Sequence, residues 1–282
     1  MLRTRVISSI ILIILLGIIA FSGNIILAVG VFALAVIGVH EFYDSVSNAG
    51  YKPVRFLGYL LCTPILLIGF NGSMNRIGTY VELFKSINYF SFTLFIVVVL
   101  LFSTIIFLHD KYNIIDISLT MFGVLYVVFL FSFIVLTRNL ENGLFFIWII
   151  FLGAWSTDTT AYFAGRFFGK HKLLPAISPK KTVEGGIGGV IGCVAITVLY
   201  GLYLNSYHLA YDIAITHLVI LGLLNGVIGQ IGDWAASAIK RYVKIKDYGS
   251  IMPGHGGILD RFDSILFIAP VVYFYISFII LK

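Results

Sequence analysis

The feature that most constrains this chain is a succession of apolar runs long enough to cross the hydrocarbon of a bilayer, which takes roughly 20 helical residues each. Hydrophobic residues make up 60% of the 282 and charged ones 11%, and only short polar connections part the runs. That pattern leaves no room for a soluble domain and turns most side chains toward lipid or other helices. Spans are expected at about 6–21, 24–40, 56–70, 89–108, 117–136, 144–163, 186–204, 213–231 and 264–281. The fold class is therefore all-α: a polytopic membrane helix bundle of about nine transmembrane helices. Ser22, Gly23 and Asn24 alone part the first two runs, which are either separate spans or one broken or re-entrant pair. Arg3 and Arg5 precede the first run as in a signal peptide, but no convincing cleavage site follows, and a retained helix is the reading.

Orientation follows from the basic residues, which favour the cytoplasmic side. Residues 164–185 hold Arg166, Lys170, Lys172, Lys180 and Lys181, and residues 232–263 hold Lys240, Arg241, Lys244, Lys246 and Arg261. Nine spans put both segments, with Arg3, Arg5, Lys52, Arg55 and Lys111, on the cytoplasmic side. Arg76, Lys85, Arg138 and Lys282 are left outside, so the N-terminus lies in and the C-terminus out. The net charge of +6 is accounted for by this asymmetry and by attraction to anionic headgroups. Outside the membrane-adjacent loops no basic run is interleaved with aromatics, and no soluble module exists to present one to nucleic acid. Cys62 and Cys193 lie in separate apolar spans without metal-ligand spacing and read as packing residues.

Against this apolar background, two charged constellations stand out. In the first, Asp158 falls near the cytoplasmic end of the sixth span. An ionisable group costs about 2.5–3.5 kcal/mol at a helix centre and less toward the interface. It is either a packing ion pair or a functional carboxylate. Ser156, Thr157, Thr159 and Thr160 surround it, and Ser178, Lys180, Lys181, Thr182 and Glu184 follow at the start of the seventh helix. Free N–H groups and adjacent lysines there suit a phosphate, although a loop that merely obeys the charge rule looks the same. Gly185, Gly186, Gly188, Gly189 and Gly192 match no phosphate-loop spacing and read as close helix packing.

The second constellation, residues 230–264, gathers four Asp and five Lys or Arg. Asp233 ends the eighth span. Asp260 and Asp263, three apart, share a helix face if the ninth helix begins near Gly257. Oxygen ligands without a Cys or His cluster select Mg²⁺ or Mn²⁺ over zinc. Lys240 and Arg241 are candidate phosphate clamps, and Pro253-Gly-His255-Gly256-Gly257 lets backbone approach a ligand closely.

The run Ser237, Lys240-Arg241, Lys246-Asp247, Pro253-Gly-His255-Gly256-Gly257, Asp260-Arg261-Phe-Asp263 closely resembles the signature of the phosphatidate cytidylyltransferases, or CDP-diacylglycerol synthases. Residues 156–173 and 178–186 also look like that family, so the resemblance is dense over the C-terminal half. It implies that CTP and phosphatidate react at the cytoplasmic face of the cell membrane to give CDP-diacylglycerol and pyrophosphate. It also implies dependence on Mg²⁺ held by Asp233 and Asp260, with room for a second cation, and with Asp263 beside them. Lys240 and Arg241 join the three Asp as catalytic candidates. Asp158, Ser178, Lys180, Lys181, Thr182, Glu184, Ser237, Lys246, Asp247, His255, Gly256, Gly257 and Arg261 are the substrate-binding candidates. Residues 1–140 read as scaffold and 141–282 as the catalytic region of one membrane-embedded unit, and a homo-oligomer is compatible with both.

The chemistry fits that reaction independently. A phosphate monoester is largely dianionic at neutral pH, so the lipid phosphate needs no strong base, only cations that bring two polyanions together. Two alternatives remain. A CTP-dependent lipid kinase uses similar groups, and an ion-coupled transporter uses Asp158 and Asp233 as ion sites, though no internal repeat supports the latter.

Overall fold

The structure, a computed structural model, describes residues 16–74, 87–206, 212–251 and 256–281. The chain divides into two compact units, one reaching Val135 and the other beginning at Leu136. Six described helices are long and apolar enough to cross a membrane, so the chain is a multi-pass helical membrane protein. Most of the expected first span, 6–21, lies outside the described residues.

The first unit holds α1 (Asn24–Asn48), α2 (Arg55–Leu60), α3 (Pro64–Met74), α4 (Ile87–Phe107) and α5 (Ile114–Asn139), the last ending beyond the unit's boundary. The run expected as one span at 56–70 is broken at 61–63, where Pro64 restarts the helix because it has no N–H to give a preceding turn. Asn113 starts α5 with a capping box: its side chain accepts from the Asp116 N–H at 2.9 Å, and Asp116 accepts from the Asn113 N–H at 3.0 Å. That satisfies two N–H groups the first turn leaves free. Val54, Leu57, Val97, Leu101 and Ile117 form a shared core of α2, α4 and α5.

The second unit holds α6 (Gly143–Phe168), the strands β1 (Lys172–Leu174) and β2 (Ser178–Thr182), then α7 (Val183–Ser206), α8 (Ile215–Tyr242) and α9 (Leu259–Ile280). The expected 164–185 loop contains an antiparallel hairpin in which Lys172 faces Thr182 and Leu174 faces Ser178. α6 packs on α7, α8 and α9, while α8 packs on α7 and α9.

Small residues make these approaches close. Without a hydrophobic drive between helices in lipid, packing depends on how near the backbones come. A side chain at Gly188 would run into Ala164, one at Gly192 into Thr160, and one at Gly189 would meet Ala161 at 3.1 Å. Gly188, Gly189 and Gly192 of α7 thus face α6, in the close helix packing the sequence reading expected. On α8, Gly222 and Gly226 leave room for the α7 backbone at Val194 and Val190, and Gly232 for the Asp263 carbonyl of α9 at 2.6 Å.

The eighth span was expected to end at about 231, yet α8 continues to Tyr242. Ala235, Ala236, Ala238 and Ile239 carry the helix on, and Lys240 and Arg241 in the last turn suit the negative end of its dipole. At 1.5 Å per residue, Asp158 lies about 15 Å before the end of α6 and Asp233 about 14 Å before the end of α8. Both carboxylates are therefore carried on helix, well before its end.

Candidate active site

Asp158 of α6, Lys180 and Lys181 of β2, Thr182, and Asp233 of α8 line one cavity of about 340 Å³. They are brought together because the hairpin that links α6 to α7 folds over the end where α8 passes. Lys181 forms an ion pair with Asp233, and its ammonium also sits 5.8 Å from the Trp234 ring centre, a cation–π distance. Thr182 is buried and accepts from the Gly185 N–H at 3.1 Å, fixing the hairpin to the first turn of α7. Glu184 ties down the other end of the hairpin. It accepts from the backbone N–H groups of Lys170 and His171 at 3.1 and 3.3 Å, and its Oε1 lies 2.6 Å from His171 Nδ1.

The carboxylates are coupled electrostatically. Asp158 feels Asp233, Lys181 and Arg261, while Asp263 feels Asp233, Asp158 and Lys240. Three helices thus bring Asp158, Asp233 and Asp263 into one field with lysines and an arginine around it. Among the described residues, no three Asp, Glu, His or Cys side chains stand close enough to form a ready metal cage.

Asp260 organises the chain between α8 and α9. Its Oδ1 accepts from Lys240 Nζ at 2.6 Å, and its Oδ2 accepts from the N–H groups of Tyr248 at 2.8 Å and Gly257 at 3.0 Å. Lys240 stands 5.5 Å from the Tyr248 ring centre. Gly256 has φ +83°, and a Cβ there would meet Asp260 Oδ2 at 2.8 Å. A left-handed backbone this close to a carboxylate requires glycine. Arg241 donates to the carbonyls of Ile177 and Ile245, both at 3.3 Å, so it links the hairpin turn to the end of α8.

The remaining candidates are placed differently. Ser178 opens β2 and Ser237 stands on α8, neither at the cavity wall, and Lys246 and Asp247 are exposed on the connection to α9. His255 lies outside the described residues. The sequence reading had missed Trp234, whose indole N–H has no acceptor among the described residues. Its signal was an aromatic ring next to Asp233 within a charged stretch. Gln230, which donates to the Gly186 and Gly226 carbonyls at 3.1 and 2.9 Å, braces α7 against α8 at the cavity wall. Tyr162 lines the cavity and accepts from Arg166 at 3.1 Å, whereas Phe163 and Phe167 stack on each other away from it.

Comparison with known proteins gives the family. The profile of the cytidylyltransferase family matches residues 3–279. The phosphatidate cytidylyltransferase of Bacillus subtilis is 38% identical over 185 residues, 65% of this chain and 66% of the relative. The protein of that name from Staphylococcus saprophyticus is 39% identical over 61% of this chain and 64% of its own length. The Staphylococcus aureus (strain COL) protein is 43% identical over 58% and 60%. The alignments span just under two thirds of the length of these relatives. With its profile matched from residue 3 to residue 279, the chain belongs to the cytidylyltransferase family.

Proposed function

We propose that this protein transfers a cytidylyl group from CTP to phosphatidate, releasing pyrophosphate and forming CDP-diacylglycerol. The observation that carries this reading is the cavity in which Asp158 and Asp233 meet Lys180 and Lys181 inside a bundle of apolar helices. A lipid phosphate must keep its tails in hydrocarbon while its headgroup meets a water-soluble nucleotide, and a polar cavity between spanning helices meets both needs. In this reading an oxygen of the lipid phosphate attacks the α-phosphorus of CTP in line. The bond to the β-phosphate breaks, and pyrophosphate leaves.

In this reading Mg²⁺ would be held by Asp233 and Asp260, whose hard carboxylate oxygens suit it and which in this structure pair with the ammoniums of Lys181 and Lys240. Bound there, the ion would neutralise charge and polarise the attacked phosphoryl group. Lys180, Lys181 and Arg261 balance the triphosphate charge and hold the two polyanions together, work that replaces a general base. Asp263 orients the groups around Asp233, and Asp158 fixes Lys181 and Arg261. The basic residues of both segments support a site on the cytoplasmic side. Nine crossings follow when the first apolar run, the broken α2–α3 pair and α4 span the membrane as well.

The test is the leaving group. Purified protein given CTP, phosphatidate and Mg²⁺ should release one pyrophosphate per CTP consumed. Release of CDP with a phosphorylated lipid alcohol would mean a lipid kinase instead.

A further inference from the structure

The first unit carries a second cavity, of about 570 Å³, in which Lys52, Arg55 and Lys111 stand with Tyr51, Phe56 and Tyr112. Its residues come from two connections, α1 to α2 and α4 to α5, that are fastened to each other. Asp116 Oδ1 accepts from the Lys52 N–H at 2.6 Å, and Thr120 Oγ1 accepts from the Val54 N–H at 2.8 Å. Both acceptors are buried, so the backbone under the cavity is held firmly and its lysines are displayed on a fixed frame.

The three cations are not equivalent. Arg55 is committed to the frame: it pairs with Asp44 at 2.6 Å and donates to Ser47 Oγ at 3.1 Å. The Lys52 and Lys111 ammoniums pair with no carboxylate among the described residues, and Lys111 rests 5.2 Å from the Tyr112 ring centre. Of the nearby acids, Asp116 is used up in the α5 cap, and Asp110 is exposed and beside His109. Net positive charge is therefore left at the cavity.

Apolar surface adjoins it. Phe56, on the cavity wall, is 73% exposed, and Phe107, Leu108, Ile114 and Ile115 on the α4–α5 side are exposed as well. Unpaired ammoniums and interfacial rings beside exposed hydrocarbon match the two ends of a phospholipid. We infer that this cavity binds the headgroup of an anionic phospholipid, its phosphate ester between Lys52 and Lys111 and its chains along the exposed apolar residues. The site lies within the first unit and does not depend on the reaction proposed for the second.

Native mass spectrometry of the full-length protein in detergent tests this with dioleoylphosphatidylglycerol, which is not the proposed substrate. Wild type should hold this lipid in preference to dioleoylphosphatidylcholine. The double variant Lys52→Gln/Lys111→Gln should bind it on the order of thirtyfold more weakly, while Lys52→Arg/Lys111→Arg keeps the affinity. Equal phosphatidylglycerol binding by wild type and the Gln variant, in protein with an unchanged melting transition, would overturn the inference. Displacement of the lipid by millimolar inorganic phosphate would also overturn it, by showing a free-anion site.

Discussion

Lys240 and Asp260, twenty positions apart, meet at 2.6 Å where their side chains are only 12% and 4% exposed. One carboxylate therefore joins the last turn of α8 to the first turn of α9 and, through the Tyr248 and Gly257 N–H groups, holds two points of the connection between them. Removing one member of so buried a pair strands the other and costs about 3–5 kcal/mol. Asp260→Asn should lower the melting temperature of the detergent-solubilised protein together with its activity. Lys240→Met/Asp260→Leu should recover only part of the stability, because the Tyr248 and Gly257 N–H groups lose their acceptor, and none of the turnover, as thermal denaturation and a CTP assay on the same preparations will show.

Lys181 has the opposite profile. Its pair with Asp233 is partly solvated, at 27% exposure on each side, and exposed pairs add little stability. Lys181→Ala should leave the melting temperature nearly unchanged while lowering kcat/KM for CTP by on the order of a hundredfold or more. Lys181→Arg should restore part of that loss.

Trp234 presents its ring face to Lys181. Trp234→Phe keeps a face and should stay near wild-type kcat/KM, whereas Trp234→Leu should lose about fivefold, the scale of one exposed cation–π contact. Steady-state kinetics at varied CTP separates the two.

The α6–α7 contact has no space for a side chain larger than hydrogen at Gly188 or Gly192. Gly188→Leu should force the helices apart at a cost of about 1–3 kcal/mol, read as a lower melting temperature. A matching loss of activity is expected, because Asp158 and Lys181 sit on the two sides of that contact.

Much of the fold could be read from local pattern. Apolar runs marked the helices, and the spacing of Asp260 and Asp263 already put both on one helix. Hydropathy misplaced the end of α8, because it falls at Asp233 while the alanines after it go on supporting helix. The hairpin escaped notice because its strands are three and five residues long and the second contains Pro179, which weakens any strand signal. Within the site, residue types were legible but partners were not. That Lys181 meets Asp233 and Lys240 meets Asp260 depends on helix packing over tens of residues, which no local spacing encodes. Glu184 looked like a ligand for substrate from its place beside Lys181, whereas its carboxylate closes the hairpin on His171.

The central claim is that this site joins CTP to a lipid phosphate. The most direct test is to incubate purified protein with CTP, dioleoylphosphatidate and Mg²⁺ and identify the lipid product by mass spectrometry, with Asp233→Asn in parallel. The account predicts CDP-dioleoylglycerol from wild type and at least a hundredfold less from the variant. Well-folded wild type that consumes no CTP with phosphatidate, or Asp233→Asn that forms the product at the wild-type rate, would contradict it.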